Sequence, residues 1–157
     1  MKNILSTNKE FFSNVSESIA KYNINKLNNA PKISNSKDSF DLFLNEYNGD
    51  IYDTERFYVM YLNNNNSVIN IVQLSSGGIT GTVVDVRLLF RHAFICKATS
   101  ILLCHNHPSG SNKPSNADKD LTTKIKNASK FLDINLLDHI IISSDKCYYS
   151  FSDEGVL

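Results

Sequence analysis

The stretch from Leu102 to Asp120, LLCHNHPSGSNKPSNADKD, dictates more about the fold than any other part of the chain. It continues Ser100 to Cys104, an apolar run short enough to be a buried strand. Pro108 and Gly110 then break that strand, and Pro114 stands just before a helical run that begins near Ser115. The passage therefore reads as strand, loop, helix. In an extended segment alternate side chains share a face, so His105 and His107 project together while Asn106 points the other way. With Ser115 as N-cap, Asp118 takes the third helical position and faces back toward the loop.

Two imidazoles and one carboxylate, with a fourth position left to water, form the layout of a catalytic zinc site; a structural site is closed by four protein ligands. Such a metal draws the pKa of its water toward about 7, and a general base is then wanted nearby. Ser-x-x-Asp is also an ordinary capping pattern, with the serine hydroxyl on the Asp118 amide and the carboxylate near the positive helix end. What favours metal binding is the conjunction: His-x-His at a strand end, a Pro/Gly break and a returning carboxylate, at the junction where open α/β sheets place their sites.

His105-Asn106-His107-Pro108, followed by Ser115-Asn116-Ala117-Asp118, resembles the JAMM metal motif of the JAB/MPN superfamily: His-x-His, seven residues, Ser, two residues, Asp. More narrowly, NHPSG, then PSNAD, an amphipathic helix, LLDHIII and YYSFSDEG are similar to the bacterial RadC family, from about Ser36 to Leu157. The resemblance implies one zinc per chain on His105, His107 and Asp118, with Ser115 helping to hold a tetrahedral intermediate and its oxyanion. It also implies a glutamate at the head of an upstream strand as proton shuttle. Glu55, opening ERFYVMYL, is the matching position; Asp53 lies two residues earlier and Glu46 opens no strand. Within the superfamily the residue between the histidines is often Ser or Thr among eukaryotic members; Asn106 instead follows the RadC branch. At Asp85-Val86-Arg87, where RadC-like chains often show Pro before Arg, Val86 is a departure that leaves the start of a helix open.

At 157 residues and 41% hydrophobic content the chain has room for one domain with a real core. The expected organisation is an N-terminal extension over 1–35, made of a short helix and a linker, and a RadC-like JAB/MPN domain over 36–157. In the extension, Phe11, Phe12, Val15, Ile19 and Tyr22 recur at helical spacing, and Asn23 to Asn35, with Pro31, reads as linker. Lys plus Arg and Asp plus Glu number 16 each, so the formal charge is zero and direct nucleic-acid binding has no electrostatic footprint. Cys96, Cys104 and Cys147 are odd in number and lack CxxC spacing, and read as small core residues of a reducing compartment. No run approaches the roughly 20 apolar residues that cross a membrane, so the expected location is the cytosol.

Along the body, Ser36 opens a helix with Phe40, Phe43, Leu44 and Tyr47 on one face and Gly49 as its stop. ERFYVMYLN and SVINIVQLS, joined by Asn63 to Asn66, read as a hairpin, which lets the strand headed by Glu55 lie beside the one ending at His105. Ser75 to Gly81 reads as a flexible loop bordering the site, since it lacks phosphate-loop spacing. Val86, Leu89, Phe90, Ala93 and Phe94 form the inner face of the next helix, leaving Arg91 and His92 to solvent. From Ser115 to about Leu132, Leu121, Ile125, Ala128 and Leu132 face inward while Lys119, Lys124, Lys126 and Lys130 face largely outward. Strands LLDHIIIS and CYYSF follow, with His139 as a hydrogen-bonded core residue.

The whole is an α/β fold, a mixed sheet flanked by helices, and the resemblance implies a deaminase-like three-layer arrangement. The deaminase signature (His-x-Glu with Pro-Cys-x-x-Cys) and His-Glu-x-x-His are both missing. The expected activity is that of a zinc-dependent hydrolase of JAMM type on a peptide or isopeptide bond of a protein or peptide substrate. The competing expectation is a non-enzymatic RadC-like accessory in DNA repair, recombination or mobile-element biology, although no helix-hairpin-helix pattern precedes the domain. An MPN-type scaffold without metal is a third, against which the intact ligand set counts.

Overall fold

The computed structural model describes residues 30–48, 50–77 and 84–157. The helix expected between Asn8 and Tyr22, the stop at Gly49 and the tip of the glycine-rich segment lie outside the described residues. The chain separates into two compact units, Met1–Ala30 and Pro31–Leu157, and the helices and strands of the described residues all belong to the second.

Its elements are α1 (Ser36–Tyr47), β1 (Glu55–Leu62), β2 (Val68–Gly77), α2 (Val86–Cys96), β3 (Ser100–His107), α3 (Asn116–Phe131), β4 (Asn135–Ser143) and β5 (Tyr148–Ser150). The strands form one mixed sheet in the order β2-β1-β3-β4-β5. Only β3 and β4 run parallel, because α3 carries the chain back over the sheet between them. The hairpin between β1 and β2 is closed as expected by asparagines: Asn66 takes a positive φ of 56°, and the Asn63 side chain accepts from the amides of Asn65 and Ser67.

Side-chain alternation divides the interior into two layers. Tyr58, Met60 and Leu62 of β1, Leu102 and Cys104 of β3, and Ile140 and Ile142 of β4 pack with Phe40, Phe43 and Tyr47 of α1. On the other face Phe57, Val59, Tyr61, Ile101 and Leu103 pack with Leu89, Phe90, Ala93 and Cys96 of α2 and Ile125 of α3. The three layers and the mixed sheet are those expected from the sequence.

Local chemistry sets the ends of the helices. Asn35 caps α1, and Asn48, in the left-handed conformation at φ 48°, supplies its stop. Asp85 caps α2 through the Arg87 amide, so the helix begins at Val86 without a proline. Residues Pro31 to Ile33, within the stretch read as linker, lie against the hairpin turn: Val68 donates to the Pro31 carbonyl and Ile33 to that of Asn66.

Several expectations need correction. Ser75, Ser76 and Gly77 belong to β2 instead of a loop, paired with Phe57, Arg56 and Glu55. Phe94 is 57% exposed while Cys96 takes the inner position. His92 is half-buried beside Tyr61, and burial lowers its pKa. Leu132 is 38% exposed, because the chain turns at Asp133 (φ 53°) and Ile134 becomes the buried residue. Cys147 is exposed, unlike Cys96 and Cys104.

One buried side chain ties the approach to β1 onto the sheet. Asn106 donates to the carbonyls of Ile51 (2.9 Å) and Thr54 (3.0 Å) and accepts from the Arg56 amide (2.8 Å). No water reaches Asn106 to replace these bonds, since its side chain is fully buried. Asn106→Ala should therefore lower the free energy of unfolding by about 2–4 kcal/mol in urea titration. A loss below about 1 kcal/mol would show that the 51–56 segment holds its place without the clamp.

Candidate metal centre

Strand β3 ends in His105 and His107 because alternation turns both rings toward the α2/α3 layer, whereas Asn106 faces α1. The chain then reverses through Gly110, whose φ of 87° suits glycine and whose amide donates to the His107 carbonyl. Pro114 and Ser115 deliver it to α3 with Asp118 in the first turn.

There the capping reading and the ligand reading both hold. Ser115 and Asp118 form a capping box: the Ser115 hydroxyl accepts from the Asp118 amide at 3.2 Å, and Asp118 Oδ2 accepts from the Ser115 amide at 2.7 Å. The same hydroxyl donates to Oδ2 at 2.6 Å. Asp118 Oδ1 meanwhile lies 3.1 Å from His105 Nε2, and Oδ2 lies 3.7 Å from His107 Nε2. The two Nε2 atoms are 2.9 Å apart. One ligand atom from each of the three residues falls within 4.8 Å of the others, a group able to hold a metal ion. Two donor atoms around a tetrahedral zinc stand about 3.3 Å apart, so the set fits such an ion by span as well as by donor type.

The outward nitrogens are held too. His107 Nδ1 donates to the Ser111 carbonyl at 2.8 Å. His105 Nδ1 lies 2.8 Å from Nε2 of His139, and His139 Nδ1 lies 2.7 Å from Thr122 Oγ1. His139 is the buried, hydrogen-bonded histidine that its strand implied, packed against Phe57 and Phe151. Its partner could not be read from sequence, because the parallel register that aligns Leu103 with His139 depends on how α3 crosses.

Glu55 opens β1 as expected. Glu55 lies two residues before Phe57, which pairs with His105, and so shares that face of β1, near enough to His107 for its charge to act on the ring. It lies outside the three-residue ligand group. Asp53 remains exposed in the preceding loop, and Asp50 pairs with Arg56.

Electrostatics couple the two partly buried ligands. Burial alone pushes the Asp118 carboxyl upward, but hydrogen bonds from His105, His107 and Ser115 outweigh it and hold the group well below the carboxylate range. The bond to Asp118 raises the pKa of His107 against the opposing effect of burial, and the nearby Glu55 charge adds to the rise. Burial, then the neighbouring His105, pushes His139 far down, so its ring is neutral.

A sequence model of the RadC-like JAB domain matches residues 33–156. The chain is 52% identical over 125 residues to a UPF0758 protein of Flavobacterium johnsoniae, covering 80% of this chain and 53% of that protein. It is 40% identical over 126 residues to a UPF0758 protein of Clostridium acetobutylicum, covering 80% and 54%. The chain thus spans about half the length of these relatives.

The metal-free protein should show two bends in stability against pH. Asp118, depressed below 3.8, contributes stability that is present above its unfolded pKa and is lost as pH falls through the folded value. His107, raised above 6.5, contributes stability that is present below its unfolded pKa and is lost as pH rises through the folded value. Thermal unfolding in chelator should therefore peak between those limits, and Asp118→Asn should flatten both shoulders. An unchanged profile in the variant would reject the coupling.

Proposed function

Because the chain belongs to the RadC-like JAB domain family, we propose that it is a zinc-dependent hydrolase of JAMM type, cleaving a peptide or isopeptide bond in a protein or peptide substrate. The observation that carries this reading is the convergence of His105 Nε2, His107 Nε2 and the Asp118 carboxylate at the end of β3, with Glu55 beside them but outside the ligand set. The nitrogen and oxygen donors suit zinc, which supplies Lewis acidity toward water and a scissile carbonyl when bound.

The chain's own residues then divide the work. Glu55, on the face of β1 shared with the histidines, takes a proton from water and returns it to the leaving nitrogen. Ser115 is exposed, and its hydroxyl proton, given to Asp118 Oδ2 in this structure, turns to the developing oxyanion while its backbone amide keeps hold of Asp118. Three unpaired cysteines suit a reducing compartment, and a cytoplasmic location goes with this reading. Among the described residues no helix is long and apolar enough to cross a membrane.

Elemental analysis of the purified protein beside a His105→Ala, His107→Ala variant tests the metal. About one zinc per chain in the parent and none in the variant is the expected result. Glu55→Gln should keep the zinc and lose about 10²–10⁴-fold in turnover on a peptide or isopeptide substrate. A parent that takes up no zinc would remove the hydrolase reading, and full turnover in Glu55→Gln would remove Glu55 from its role.

A further inference from the structure

Behind His105 a line of hydrogen bonds runs through the sheet and back to α3. Thr122 Oγ1 lies 2.6 Å from the backbone carbonyl of Asp118, one turn earlier in the same helix. A carbonyl only accepts, so the single hydroxyl proton of Thr122 is committed there. Thr122 can then only accept from His139 Nδ1, 2.7 Å away, which places the His139 proton on Nδ1. A fully buried ring bonded to a hydroxyl and an imidazole, with no carboxylate partner, carries one proton, so Nε2 is bare, and the group facing it among the described residues is His105 Nδ1 at 2.8 Å. His105 must therefore donate from Nδ1, so that Nε2, the nitrogen that faces His107 and Asp118, is the one that can exchange its proton for a metal. Each bond fixes the direction of the next. The line starts at one ligand of the candidate centre and ends on the backbone of another.

We infer that His139 and Thr122 are positioning residues for the metal centre: they lock His105 in the tautomer that presents Nε2 as a ligand and hold the first turn of α3, with Asp118, at a fixed distance from it. This deepens the metal reading proposed above and rests on it. The burial pattern supports the assignment. Thr122 and His139 are polar side chains enclosed in an otherwise apolar layer, where Phe57 and Phe151 flank the ring and exclude competing water partners. A core that needed only volume at these positions would be filled by apolar residues without the cost of satisfying three polar atoms.

Thr122→Val keeps the shape and removes the hydroxyl; Thr122→Ser keeps the hydroxyl. In competition with a chelator, Thr122→Val should bind zinc about 10–100-fold more weakly, His139→Leu should do the same, and Thr122→Ser should bind as the parent does. Unfolding of each metal-free variant separates this effect from simple stability. A Thr122→Val protein that loses stability but binds zinc as tightly as the parent would show that the hydroxyl is merely structural, and would overturn the inference. Long-range proton–nitrogen NMR of the zinc-loaded parent needs no substitution: protons on His105 Nδ1 and His139 Nδ1 are expected, and a proton on His139 Nε2 would overturn the inference. A parent that takes up no zinc rejects the metal site and this inference together, whereas tight zinc binding unaffected by Thr122→Val rejects the inference alone.

Discussion

Strand β3 is held from both sides of the sheet at once, and the rest of the structure depends on that. Its even-numbered residues, Leu102, Cys104 and Asn106, are committed to the α1 layer by apolar burial and by the three hydrogen bonds of Asn106. Its odd-numbered residues, Ile101, Leu103, His105 and His107, must then face α2 and α3. A slip of one residue would bury the histidines against α1 and expose Asn106 to an apolar layer, so register and chemistry cannot be separated. The same register delivers Glu55, since β1 pairs antiparallel with β3 and its first residue lies two positions before Phe57, the partner of His105, on the face of the histidines.

The second constraint is the first turn of α3. Asp118 is drawn there by two demands that an N-terminus satisfies together: the unpaired amides of a helix start and the attraction of a carboxylate to the positive end of the helix. Its two oxygens divide these tasks, Oδ2 turning to Ser115 and Oδ1 to His105. The histidines add what a cap alone would not, a carboxyl held ionised despite partial burial. A cap of this kind is worth about 1 kcal/mol, so the arrangement stabilises the helix even before any ion is considered.

This double use explains what is legible in the sequence. The strand-break-helix passage can be read because Pro108, Gly110, Pro114 and Ser115 act locally, within a few residues of where they stand. The clamp of His105 and His107 follows from alternation, and Asp118 from its distance to the N-cap. Glu55 is legible as a strand head; its place on the face of the histidines comes only with the pairing of Phe57 and His105. The course of Ser75 to Gly77 stays hidden for the same reason: glycine and serine read as loop until the pairing with Glu55, Arg56 and Phe57 supplies the missing half of the ladder. Asn48 is obscured by Gly49 because glycine is the commoner left-handed residue, yet asparagine tolerates that conformation well enough to end α1.

The inner face of α3 shows how polar satisfaction can override an apolar pattern. Periodicity favours Leu121, Ile125, Ala128 and Leu132, but the residues most deeply buried are Thr122, Ile125 and Ser129; the hydroxyl of Ser129 has no partner among the described residues, so the polar satisfaction is that of Thr122 alone. Ile125 belongs to both sets, so the difference is a rotation of the helix about a shared contact. That rotation aims Thr122 at His139, where its hydroxyl completes the arrangement of donors and acceptors that leaves no polar atom between His105 and Asp118 without a partner. The cost appears at the far end of the helix, where Phe131 is 90% exposed. An apolar stripe buried by hydrophobicity alone would have turned toward Leu132 and left His139 facing a methyl group. An unpaired buried imidazole nitrogen costs on the order of 1–3 kcal/mol, comparable to what burying one more leucine would have contributed. The helix orientation thus follows from the needs of a histidine behind the site as much as from the core it covers.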